Sequence, residues 1–281
     1  MIDPHGLLIE HFSQEVQKCY TRNYGNTFSE IGEVLSWFSR TALHLISKSD
    51  SLYHDVEHTI LVGSVAQQLL EGKHIMEGGI SQQDWLCVMV AALCHDIGFS
   101  NRCLRLDTRE RIATGLGDET VPVADFPTNA SLMPFHVNRS KAFVRERFGS
   151  RVLFLLREGD IEQICDYIEM TRFPIPKESQ QTQATDFGVL VRSADLIGQL
   201  SDPRYLQKIP ALFYEFIEYG AHKEFGYTDP RDLARKYPKF FKETVYPLIR
   251  DSLEYLDLSP EGRQWVANLY ANLARIESTT W

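Results

Sequence analysis

The stretch Trp85-Leu86-Cys87-Val88-Met89-Val90-Ala91-Ala92-Leu93-Cys94-His95-Asp96-Ile97-Gly98 decides how this chain folds. Between Trp85 and Cys94 no face of a helix would meet water comfortably, so the segment reads as a helix at the centre of a domain. It falls far short of the ~20 apolar residues that a membrane span needs. Its end carries His95 and Asp96 into the interior, and Gly98 just beyond suits a helix stop. Adjacent residues on a helix point about 100° apart. The pair therefore cannot form one facial unit, although both can grip an ion held beside the helix end.

Outward from this segment, apolar residues recur at spacings of three and four, and no convincing run alternates apolar with polar. The chain is expected to be all-α. Helices are predicted over about 7–21, 28–47, 55–70, 84–97, 134–148, 160–172, 185–200, 203–219, 230–256 and 259–276, with Pro238 and Pro247 breaking or kinking the long one. A polar stretch, 177–185, separates two of them. No repeat or clear linker stands out, so one domain is expected, with 1–50 as a helical cap on a core spanning 51–281. Residues 100–129 break the pattern: Arg102, Arg105, Arg109 and Arg111 precede Gly115, Gly117, Pro122 and Pro127. Because this segment leaves the His95-Asp96 turn directly, it is expected to form a wall or lid that phosphate-bearing ligands order. A surface insertion with solvated arginines is the alternative.

The 281 residues carry 29 basic against 38 acidic side chains, a net −9, which argues against broad binding to nucleic acid or an anionic membrane. A small anionic substrate would then need a local positive site, such as a metal. Cys19, Cys87, Cys94, Cys103 and Cys165 are scattered without a Cys-x-x-Cys, as reduced thiols are, and the start Met1-Ile2-Asp3-Pro4-His5 lacks the marks of a signal peptide. A cytoplasmic protein is expected; its oligomeric state stays open.

Tyr53-His54-Asp55-Val56-Glu57-His58 places two imidazoles four residues apart, on one face if the segment is helical. Asp195 lies in the apolar run Val189-Leu190-Val191-Arg192-Ser193-Ala194-Asp195-Leu196-Ile197, where an unpaired carboxylate is expensive and a cation is wanted. Each piece alone is weak. Together His54, His58, His95, Asp96 and Asp195 supply the parts of a hydrolytic metal centre. The remaining His5, His11, His44, His74 and His222 are read as core or surface residues.

This order resembles that of the HD-domain metal-dependent phosphohydrolases, most nearly the branch containing the class I cyclic-nucleotide phosphodiesterases. Tyr53-His54-Asp55-x-x-His58 is similar to that branch's Tyr-His-Asn-x-x-His, Ala91-Ala92-Leu93-Cys94-His95-Asp96 to its central His-Asp helix, and Ser193-Ala194-Asp195 to its late metal aspartate. The likeness spans roughly 51–219. The string from Arg192 to Pro203 is also similar to that of uncharacterised bacterial proteins of the branch. The resemblance implies a helical bundle around a metal centre. In it His58, His95, Asp96 and Asp195 bind one divalent ion (Zn, Fe, Mn or Mg), Asp96 also faces a possible second, and His54 protonates the leaving oxygen. An imidazole with an ordinary pKa near ~6.5 can give up that proton at working pH.

The departures are specific. Where the phosphodiesterases carry a second histidine three residues after the His-Asp pair, this chain has Phe99. His136 could restore an imidazole there, and Arg139 or Arg192 could meet a phosphate. The purine-gripping glutamine of those enzymes cannot be placed, and Phe213, Phe216, Tyr237, Phe240 and Phe241 are either core or a base-stacking clamp. The His-His-Glu and Gly-Tyr-Pro strings of cyclic di-guanylate hydrolases are missing, as is the Glu-Asp that follows His-Asp in alarmone hydrolases. The expectation is a metal-dependent phosphohydrolase acting on a small anionic phosphoester, most concretely a cyclic-nucleotide phosphodiester. A nucleotide phosphomonoesterase and a catalytically weak nucleotide- or metal-binding sensor remain open beside it.

Overall fold

Ser81 starts the central helix, α4 (Gln82–Cys94), through a reciprocal cap: its hydroxyl accepts from the Asp84 amide while the Asp84 carboxylate accepts from the Ser81 amide. In this computed structural model, which describes residues 3–26, 29–123, 127–148, 155–157, 159–175 and 186–279, every residue from Trp85 to Cys94 is buried. Around α4 pack α2 (Ser29–Ile46), α3 (Val56–Glu77), α6 (Asp160–Glu169) and α7 (Asp186–Leu200). The all-α reading holds for the described residues, apart from one two-stranded ribbon. The polar stretch 177–185 lies outside them.

α1 (Pro4–Tyr24) pairs with α2 and also meets α3, and its Ile9, Phe12 and Val16 enter the same apolar core as α4. α5 (His136–Phe148) rests on α6 and on the short 3₁₀ turn Ile97–Phe99. Beyond α7 come α8 (Tyr205–Glu218), the single-turn α9 (Ala221–Glu224), α10 (Pro230–Phe240), α11 (Tyr246–Leu256) and α12 (Pro260–Ser278). The long helix predicted over 230–256 is two helices joined by a wide π turn, Phe241–Val245. Pro238 and Pro247 flank that turn, and neither can donate the amide that would continue an α ladder across it. All five cysteines are free and buried, and no helix of the described residues is long and apolar enough to cross a membrane.

Residues 100–129 correct the sequence reading in two ways. They contain an antiparallel ribbon, β1 (Arg111–Ala113) on β2 (Thr120–Pro122), followed by a 3₁₀ turn, Asn129–Leu132. Strands of three residues are too short to show alternation. None of the segment's described residues lines the cavity described below. Arg139 of α5 holds it in place instead. The guanidinium, wholly buried, donates to the carbonyls of Gly98, Ser100 and Ala113 and makes a two-pronged ion pair with buried Asp107. With its donors spent in this way, Arg139 is a structural strut, and the expectation that it meets a phosphate is corrected.

Two glycines set distances that matter to the site. At Gly198, a side chain would press on the backbone of Val62, so α7 lies unusually close to α3 and brings Asp195 up to His58. At Gly98, a methyl would collide with the carbonyl of His136, so the turn after α4 lies directly under the start of α5.

Candidate metal centre

α3 begins at Val56, two residues too late for His54 and His58 to share a helix face. Asp55 is its N-cap, extended at φ −124° and ψ −172°, with its carboxylate accepting from the His58 amide. His54 therefore precedes the helix, while His58 sits in its first turn. The rings still meet edge to face, with centroids 5.6 Å apart.

α4 stops at Cys94, and Asp96 turns away from helical geometry at φ −106° and ψ 4°. That departure solves the problem of the 100° divergence: Asp96 Oδ2 lies 3.1 Å from His95 Nε2. Ser140 of α5 pins the turn, its hydroxyl donating to the His95 carbonyl at 2.7 Å and accepting from the Gly98 amide at 2.9 Å. His95 Nδ1 donates to the Ala92 carbonyl at 2.8 Å, which leaves Nε2 as the nitrogen turned toward Asp96 and Asp195 and available to an ion held between them.

His58, His95 and Asp195 form a cluster that could hold a metal ion. The two Nε2 atoms are 3.4 Å apart, and Asp195 Oδ1 lies 3.3 Å from His58 and 3.6 Å from His95. Asp96 Oδ2 is 3.3 Å from His58 Nε2 and is buried without a hydrogen bond. Separations of this size suit donors sharing one ion with bonds of about 2.0–2.2 Å. Burial alone would raise the carboxyl pKa values and lower those of the imidazoles. Facing one another, the groups reverse both effects. His95 and His58 hold Asp96 and Asp195 well below the usual carboxylate range, and the two aspartates raise His58 and His95.

The residue that sequence reasoning missed is Glu215. It is completely buried in α8, accepts the Tyr53 amide at 2.6 Å, and faces His54 Nδ1 at 2.5 Å. Burial works to lower the His54 pKa, but Glu215, then Asp96 and Asp195, push it up to about 9. A faint signal was present: Glu215 stands three residues after Leu212, on the apolar stripe of an amphipathic helix.

Phe99 lies between two imidazoles, stacked on His54 at 4.7 Å and on His136 at 4.6 Å. His136 donates from Nδ1 to the Met133 carbonyl, so its Nε2 lone pair faces Asp96 Oδ1 at 3.8 Å. Burial lowers its pKa to about 4, and the ring is neutral.

His54, Asp96, His136 and Asp195 form one end of a cavity of about 540 Å³. Its remaining walls come from residues 170–175, α7, α8, α9 and α10. Arg192 lies on the wall, as do Phe216, Tyr237 and Phe240, whereas Phe213 and Phe241 are buried in the core and take no part in it.

The chain belongs to the Npun_R2479-like family, whose model matches residues 2–279. No curated protein matches it.

Proposed function

We propose that this protein is a metal-dependent phosphohydrolase that cleaves a small phosphoester in the cavity. The observation that carries the reading is the convergence of His58, His95, Asp96 and Asp195 at one end of an apolar cavity, beside an imidazole held by a buried glutamate. The likeness to the HD-domain phosphohydrolases supports it, and on that likeness a cyclic-nucleotide phosphodiester is its most concrete substrate.

His58, His95, Asp96 and Asp195 would hold one divalent ion tightly. Such an ion supplies Lewis acidity toward both a water and the phosphate oxygens. The remaining steps belong to the chain itself. Glu215 accepts the Nδ1 proton of His54 and fixes its ring, so the Nε2 proton is the one delivered to the departing oxygen. The apolar walls exclude bulk water and strengthen each charge at the reacting end. His136 Nε2 and Asp96 Oδ1 face a neighbouring position, where Phe99 occupies the room a further imidazole would need. We therefore expect a second ion to be held weakly.

Turnover of cyclic and linear nucleotides with Mn²⁺, Mg²⁺ and Zn²⁺ tests the proposal. Release of inorganic phosphate from a nucleoside monophosphate identifies a phosphomonoesterase instead. Metal or nucleotide binding with no hydrolysis of any ester identifies a sensor.

A further inference from the structure

Arg192 and Asp195 are three residues apart on α7 and line the same cavity. The Arg192 guanidinium has no hydrogen-bond or ion-pair partner among the described residues, and its Nε is buried and unsatisfied. Burial lowers its pKa. The other arginine of the wall, Arg172, is occupied by Glu169 and Asn138. Glu224 also lines the cavity but makes no ion pair with Arg192. In a chain of net charge −9, a cation left without an acidic partner inside a cavity is a costly arrangement that a bound anion would relieve.

The placement is specific. Three helical residues rise about 4.5 Å, and helical side chains lean toward the N-terminus, so Arg192 reaches away from Asp195. An anion on its guanidinium therefore lies roughly 5–10 Å from one held at the histidine–aspartate end.

We propose that Arg192 reads a second anionic group of the substrate, a phosphate or carboxylate set about one helical turn from the scissile phosphate. This rests on the phosphohydrolase reading, which says which end takes the scissile group. A plain cyclic mononucleotide spends its one charge at that end and leaves Arg192 unmet. The class favoured is a phosphoester with two separated anions.

Calorimetric binding to the full-length, Mn²⁺-loaded protein tests this with phenylphosphonate, 3- and 4-carboxyphenylphosphonate, and 1,3- and 1,4-benzenebisphosphonate. At least one doubly anionic probe should bind about tenfold or more tightly than phenylphosphonate. The series that gains, carboxylate or phosphonate, identifies the second anion. Arg192→Gln should erase the gain, bringing the doubly anionic probes to the affinity of phenylphosphonate in the same variant, while Arg192→Lys, keeping the charge without the fork, should retain part of it. Equal affinities in the wild type, no binding of any probe, or a gain that survives Arg192→Gln would each overturn the inference. If both variants fail to fold, raising salt on the wild type decides: the gain must shrink, and a salt-independent gain excludes Arg192. Ester turnover by the same preparation is read separately. A preference for double anions without turnover leaves Arg192 as the anion-binding residue of the cavity and removes the phosphohydrolase reading, and turnover without the preference does the reverse.

Discussion

The Glu215 carboxylate lies 2.5 Å from Nδ1 of His54, across 161 residues of chain. A carboxylate this deeply buried needs every acceptor site used, and the Tyr53 and His54 amides supply further donors at 2.6 and 3.3 Å. The pair thus fixes which nitrogen of His54 carries the proton that faces the cavity.

That geometry sets a pH dependence. Protonated His54, with a pKa pushed up to about 9 despite burial, stays charged through neutrality and loses its proton only as pH rises past that value. Hydrolysis that needs His54 as an acid should therefore fall on the alkaline side. Glu215→Gln keeps the volume and removes the charge, so the falling limb should move toward lower pH. A pH–kcat profile whose alkaline limb stays in place in this variant would show that Glu215 does not tune the acid. Bound metal offsets part of the Asp96 and Asp195 contribution, which makes Glu215 the dominant remaining cause.

His54→Ala should keep the metal and lose roughly 10²- to 10⁴-fold in turnover. His58→Ala should lose metal and turnover together, because its Nε2 belongs to the donor cluster. A nitrophenyl phosphodiester, with a leaving group that departs without protonation, should partly restore the His54 variant. Elemental analysis beside the kinetics checks the separation, and metal loss from His54→Ala would refute it.

Gently purified protein should carry about one equivalent of divalent ion, and chelation should lower its melting temperature. Asp195→Ala should release the ion and, in the metal-free state, leave the His58 and His95 imidazoles with Asp96 as the one carboxylate of the cluster still facing them. Melting curves that ignore added Mn²⁺ and Zn²⁺ in the wild type would contradict the site.

Phe99→His places an imidazole between His54 and His136 and beside Asp96. The expected result is uptake rising from about one equivalent of ion toward two, read by elemental analysis on folded protein. A stoichiometry that stays at one would show that Phe99 is not what limits the second position.

Arg139→Met should be destabilising by about 3–5 kcal/mol, since it strands the buried Asp107 carboxylate and three carbonyls. Urea unfolding measures it. Ligand affinity of the protein that remains folded should be unchanged, because Arg139 does not reach the cavity.

The contrast between two arginines shows where sequence reading stops. Arg139 and Arg192 were equal candidates for a phosphate contact, both on helices near candidate ligands. Only the three-dimensional placement of Asp107 and of three backbone carbonyls separates the saturated one from the one without a partner among the described residues. The helical class and the central position of α4 were legible because burial of a whole helix is written in ten consecutive residues. The residue types of the short strings suggested a metal centre, and their resemblance to the HD-domain phosphohydrolases is what singled out His58, His95, Asp96 and Asp195 from His54. Glu215 carries no string of its own, and its partner lies far away in the chain. The ribbon at 111–122 was hidden because its strands are held by chain reversal and by Arg139, with no periodic pattern to reveal them.

The donors reach their common point from the first turn of α3, the turn after α4, and the middle of α7, with α8 bracing His54 from behind. No two-helix fragment contains both a histidine pair and its opposing late carboxylate, and an unfolded chain scatters them over tens of ångströms. Any ion the cluster accepts is therefore bound almost wholly by the finished tertiary structure. Metal supply would act on this protein as a folding ligand as much as a reagent: it would shift the balance between intact and degraded copies before a single substrate arrived.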